Sequence, residues 1–260
     1  MAHASYQRYV ALGDSSTEGI DDPDGAGGYR GWSQRLAERI AAEQPGLLYA
    51  NLAVRGLTTA QVRERQLAAA LAMRPDLASV FCGTNDVTHR GFDAERVAKD
   101  IAHMQRELVG IGATVVSFTL PDLTPLMPLG RLIAPRIHAL NRALAAASRS
   151  TGSILVDFAA YPVATDRRLW SDDRIHANAD GHARIAEALA DALELPGSNA
   201  AWRDPLPALP RRGALRWCAD EARWLGGHLL PWMVQGMAGR SAAADRVPKR
   251  PVLSPVDSAR

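Results

Sequence analysis

Two cysteines in 260 residues cannot build a disulfide framework. Cys82, closing an apolar run, reads as a small buried side chain. No stretch reaches the roughly 20 apolar residues that a bilayer-spanning helix requires. The opening residues run into an apolar strand without a charged-then-apolar leader, so a cytoplasmic location is expected. Charge of one sign is also missing: 30 basic residues against 28 acidic leave +2, too weak a field to imply a nucleic-acid partner. No Cys/His pairs stand at zinc-ligand spacing, so no metal is expected. Nothing in the pattern speaks to oligomeric state. What remains is an ordinary globular composition, 47% hydrophobic and 22% charged, long enough for one large α/β domain and an appendage.

Up to about residue 193, short apolar runs alternate with helical patterns. Strands are expected at Tyr9–Leu12, Leu47–Leu52, Leu77–Cys82, Ala113–Leu120 and Ser153–Phe158. Helices are expected from Gly31 to Glu43, from Thr58 or Thr59 to Met73, from the N-cap Asp93 to Val109, and from the N-cap Asn178 to Leu193. Such alternation implies right-handed crossovers and a five-stranded parallel sheet with helices on both faces. Ligands then collect at the carboxyl ends of the strands. From Pro196 the character changes: residues 196–240 are rich in proline and tryptophan. There Ala214–Leu230 carries an apolar stripe of Leu215, Cys218, Ala222, Leu225 and Leu229, with Glu221 off it. This reads as an amphipathic helix docking on the core, with a partner surface, a lid beside the site and an interfacial membrane contact as the less favoured alternatives. Residues 241–260, with three prolines and few apolar groups, are expected to be disordered.

Four short strings fall where ligands should collect. Gly13-Asp14-Ser15 follows the first strand, Asn51–Gly56 the second and Gly83-Thr84-Asn85-Asp86 the third, while Asp173-Arg174-Ile175-His176 lies beyond the fifth. A helix opening just after Ser15 aims N–H groups and a partial positive charge at that hydroxyl. Gly56 offers an unobstructed N–H and Asn85 an amide N–H to a developing oxyanion. Asp173, three residues before His176 on a loop, can fix the tautomer of the ring. Taken singly, each has a bland reading as cap, turn glycine or turn amide. Together they supply a nucleophile, a base, an orienting carboxylate and oxyanion donors, a set suited to acyl transfer through a serine ester. The irregular apolar loop of residues 121–130 offers Leu126, Met127 and Leu129 as weaker candidates for an acyl-binding wall.

On these strings the chain resembles the SGNH, or GDSL, hydrolase superfamily over residues 8–193. The match is Gly13-Asp14-Ser15-Ser16 with Gly19, then Asn51–Gly56, Gly83–Asp86 and Asp173–His176. The resemblance implies a flavodoxin-like α/β fold with five parallel strands, no metal and no cofactor. It assigns Ser15 as nucleophile, His176 as base and Asp173 as its partner, with Ser15, Gly56 and Asn85 forming the oxyanion hole. The expected activity is ester hydrolysis, esterase- or lipase-like, on a small ester or acylated metabolite. Acyl transfer or deacetylation of a sugar or metabolite is the alternative. A flavin-binding module is a remote third reading, because residues 14–19 superficially resemble a hydroxyl-rich phosphate loop.

Overall fold

The computed structural model describes residues 5–127, 130–208, 221–229 and 246–256. Five strands run parallel: β1 (Arg8–Gly13), β2 (Leu48–Asn51), β3 (Leu77–Phe81), β4 (Thr114–Phe118) and β5 (Ile154–Val156). They lie in the order β5-β4-β3-β1-β2, with Val10 opposite Ala50 on one side and Ala78 on the other. β1 to β4 are buried along most of their length, as expected of strands covered on both faces. β5 is shorter than expected, because the chain tightens into a 3-10 turn at Phe158–Ala160.

A sixth strand, β6 (Arg250–Pro255), corrects the expectation of disorder over residues 241–260. It pairs antiparallel with β2, Leu48 opposite Pro255 and Asn51 opposite Arg250. Backbone pairing and polar ties supply what its apolar content cannot: Lys249 donates from Nζ to the carbonyls of Tyr29 and Arg30 at 2.7 and 2.9 Å. The sheet is therefore mixed rather than wholly parallel. Residues 241–245 and 257–260 lie outside the described residues.

The long helices are α2 (Gly31–Glu43), α3 (Thr59–Ala72), α5 (Ala94–Gly110), α6 (Gly130–Thr151) and α7 (Ala179–Ala192). Two short ones, α1 (Ser15–Glu18) and α4 (Thr84–Thr88), follow β1 and β3 directly. α2 packs with α7, and α3, α5 and α6 form a second packed series. The expected caps are in place. Asp93 accepts from the N–H groups of Glu95 and Arg96, Asn178 from that of Gly181, and Thr58 with Gln61 closes a capping box.

The core centres on Tyr9, Leu12, Trp32, Phe81, Ile101 and Met104, all essentially inaccessible to solvent. A chain of aromatic contacts crosses it, Phe81 stacked on Phe118 at 3.8 Å, then Phe118 on Phe158 and Phe158 on Trp202 edge-to-face at 5.5 and 5.4 Å. Within 221–229 the expected stripe is reversed: Ala222 and Leu225 face solvent, while Trp224 is buried and Glu221 turns inward to an ion pair. Leu215, Trp217, Cys218 and Trp232 lie outside the described residues. Among the described residues, no helix is long and apolar enough to cross a membrane.

Candidate active site

The chain leaves β1 at Gly13, where a Cβ would collide with the Phe81 carbonyl and the Thr17 hydroxyl. Gln66 of α3 grips both backbone groups of Gly13, accepting from its N–H and donating to its carbonyl at 2.9 Å each. The next residue, Asp14, caps α1 by accepting from the Ser16 N–H, and Ser15 is the first residue of that helix. Gly19 ends α1 at φ +94°, where a Cβ would meet the Gly31 backbone, so this crossing of α1 and α2 admits only glycine.

The strings that follow β2 and β3 are tied to this turn and to each other. Arg55, beside Gly56, donates its backbone N–H to Glu18 of α1 at 2.8 Å and pairs with it through the guanidinium. Asp86 accepts from the backbone N–H and the hydroxyl of Thr59 at 2.8 and 3.0 Å, joining the Gly56 loop to the Asn85 loop. Asn85 donates from Nδ2 to the Leu57 carbonyl at 2.9 Å and to Asp14 Oδ2 at 3.3 Å. Asn51, fully buried, donates to the Thr17 carbonyl at 2.8 Å. Gly56 itself lies at φ +82°.

His176 arrives from the far side of the sheet, on the turn before α7. Its Nε2 lies 2.8 Å from Ser15 Oγ, and its Nδ1 lies 2.6 Å from Asp173 Oδ2. The other carboxylate oxygen of Asp173 accepts from Ser171 Oγ at 2.7 Å and from the N–H groups of Ile175 and His176 at 2.8 and 3.0 Å. Burial alone would push Asp173 up, but these bonds and the imidazole hold it well below the usual carboxylate range. It is therefore ionised, and the charged oxygen takes the Nδ1 proton, leaving the Nε2 lone pair facing the serine hydroxyl. For His176, burial pushes downward, and the bond and charge of Asp173 outweigh it, so the imidazole stays above its ordinary value. Asp14, entirely enclosed, is pushed up to about 7 by burial.

Asp21, Asp173 and His176 each offer a ligand atom within 4.8 Å of one another. The Nε2 lone pair of His176 accepts from the Ser15 hydroxyl and its Nδ1 faces Asp173.

A narrow pocket open to solvent is lined by Ser15 and His176. Phe81, Phe118, Leu120, Phe158, Val163, Leu169, Ile175, Ile185 and Trp202 give it a mostly apolar wall, with Thr84, Thr119 and Arg184 among the polar exceptions. This corrects the expected acyl wall. Leu126 and Met127 are packed in the core and are not among the residues that line the pocket. Leu129 lies outside the described residues. Of the residues that do line it, Phe81 and Phe118 belong to strands and the rest are scattered over short segments between residues 15 and 202, so no local pattern announces them.

Residues 11–184 match the GDSL-like Lipase/Acylhydrolase family. The chain belongs to that family. All four strings of this GDSL-like protein fall inside the matched span, whereas Trp202, residues 221–229 and β6 fall outside it. No curated protein sequence matches the chain significantly. Among solved structures, TesA is 25% identical, covering 72% of this chain and 98% of its own, with a TM-score of 0.59. The psychrotrophic esterase EstA from a Pseudoalteromonas species is 19% identical over 72% and 97%, TM-score 0.58. An acetylxylan esterase from Geobacillus stearothermophilus is 17% identical over 74% and 96%, TM-score 0.60. With these two the likeness is one of fold.

Proposed function

We propose that this GDSL-like hydrolase cleaves carboxylic esters through an acyl-enzyme at Ser15. His176 Nε2 takes the hydroxyl proton as Ser15 Oγ attacks the acyl carbonyl, then returns it to the leaving alcohol as the tetrahedral intermediate collapses. Water, activated by the same nitrogen, releases the acid. Asp173 keeps the Nδ1 proton in place and stabilises the imidazolium. The N–H groups of Ser15 and Gly56 receive the oxyanion together with one Asn85 amide N–H, which leaves its longer bond to Asp14 at 3.3 Å to do so, each donor contributing about 10²–10³ in rate.

The observation that carries this reading is the unbroken Ser15–His176–Asp173 chain at 2.8 and 2.6 Å, opening on an apolar pocket. The pocket wall favours an apolar acyl chain over acetate. That ranks hydrolysis of medium-chain esters above deacetylation of a sugar or metabolite. Transfer of the acyl group to an alcohol would use the same residues, and adding an alcohol while following both products separates the two. A flavin-binding loop would leave the Asp173–His176 pair without a role. The test is Ser15→Ala assayed on p-nitrophenyl esters of two to sixteen carbons, which should lower kcat by at least about 10³-fold with the fold intact. Wild-type turnover in that variant would remove Ser15 from the reaction.

A further inference from the structure

Residues 221–229 lie beyond the span matched to the family, yet they reach the turn that carries His176. Arg174, between Asp173 and His176, stands in the left-handed region at φ +63°, a conformation that a side-chain-bearing residue keeps only when its surroundings enforce it. Its side chain is buried. The guanidinium donates from Nη1 to the Leu126 carbonyl at 3.0 Å and pairs with Glu221 at 2.7 Å. Trp224 covers its face, 4.5 Å from ring centroid to guanidinium carbon. The Trp224 indole N–H donates to the backbone carbonyl of Asp173 at 3.2 Å. Two successive residues of the turn are thus gripped from outside the matched span. One of them, Asp173, holds the His176 ring.

We propose that Glu221 and Trp224 are positioning residues for the Asp173–His176 pair. Glu221 neutralises and anchors Arg174, Trp224 fixes the Asp173 backbone, and together they keep the Asp173 carboxylate in register with Nδ1. Without them the turn can relax from its left-handed residue, and the short carboxylate–imidazole bond lengthens. The catalytic consequence rests on the proposed role of Ser15 and His176, whereas the geometry of the pair does not.

The readout is the His176 titration itself. Asp173, Asp21 and Asp14 raise the affinity of the ring for a proton, while burial opposes them; the neighbouring His182, itself pushed down to about 4, is uncharged where His176 titrates. A loosened Asp173 therefore lets the midpoint fall. His176 is followed by NMR in the full chain with ring-labelled histidine, as wild type, Trp224→Phe, Glu221→Gln and the exposed control Ala222→Ser. Trp224→Phe keeps an aromatic ring and changes no charge. Expected are lower midpoints in both test variants, an unmoved midpoint in the control, and a loss in kcat of about tenfold or more with KM changed little. Unmoved midpoints in both test variants refute the proposal, even if their thermal stability drops. So does a shift in Glu221→Gln alone, which loss of charge across space would produce. Ser15-dependent hydrolysis measured alongside keeps the two claims apart. If it persists while the midpoints stay put, only the positioning role fails. If the midpoints move but turnover never depended on Ser15, only the proposed function fails.

Discussion

Replacing Asp14 with asparagine should make the protein less stable in acid and more stable in alkali. Asp14 is wholly enclosed, and burial pushes its carboxyl from the ordinary 3.8 to about 7. Between those values the unfolded chain has released a proton that the folded chain still holds. Stability therefore falls as pH rises, at about 1.4 kcal/mol per pH unit. Three such units make a penalty of about 4 kcal/mol, complete above pH 7 and absent below pH 4. Asparagine cannot ionise and escapes it. Its carbonyl can still accept from the Ser16 N–H, but its amide cannot accept from Asn85 Nδ2, now 3.3 Å from Asp14 Oδ2. That lost bond costs about 1 kcal/mol at every pH. The variant should thus unfold at lower urea than wild type at pH 3, match it near pH 4.5 and unfold at higher urea at pH 8.5, with a net gain of about 3 kcal/mol in alkali. The crossing of the two curves is the signature. Parallel curves from pH 4.5 to 8.5 would show that Asp14 titrates like an ordinary aspartate, and the burial argument would fail.

Because Asp173 lifts the His176 imidazole, the acid limb of kcat/KM should lie above pH 6.5, activity disappearing as pH falls and the ring gains its second proton; a limb at or below 6.5 contradicts the pairing. Asp173→Asn should lower kcat by about 10²–10⁴, because an amide facing Nδ1 favours the tautomer that leaves Nε2 protonated toward Ser15. That loss should stay smaller than the loss in His176→Ala, measured on the same ester. Val163→Phe places a ring in the pocket and should cut kcat/KM for a p-nitrophenyl octanoate about tenfold or more while leaving the acetate within twofold. An unchanged octanoate-to-acetate ratio would mean that the acyl chain lies elsewhere.

Much of the site was legible because its chemistry sits at strand ends, and strand ends are marked by short apolar runs giving way to glycine. Ser15, Gly56 and Asn85 could be located that way, Asp173 and His176 by their three-residue spacing beyond the fifth strand, and Asn178 and Asp93 marked their helices as caps do. The ties that hold the site were not legible. Gln66 grips Gly13 from 53 positions away, and Glu18 meets Arg55 across 37, pairings that leave no periodic trace. His182 reads as a surface residue, being polar and early in a helix. It is buried instead, accepting from the Trp32 N–H at Nδ1 and donating from Nε2 to the Ile20 carbonyl, and burial pushes it down to about 4. Glu221 misled for the opposite reason. It stands off the apolar stripe, and only the folded chain shows that a buried guanidinium awaits it. The acyl wall failed because apolar loops near strand ends also fill cores, as Leu126 and Met127 do.

The strand at Arg250–Pro255 has a consequence for how molecules of this protein meet. A margin of β2 left bare would present a row of amide donors and carbonyl acceptors, an invitation to any extended segment from another copy. β6 occupies that margin, and two of its six residues, Pro251 and Pro255, carry no amide hydrogen to offer onward. Chain-to-chain growth of the sheet in that direction is therefore hindered by the missing donors of two prolines.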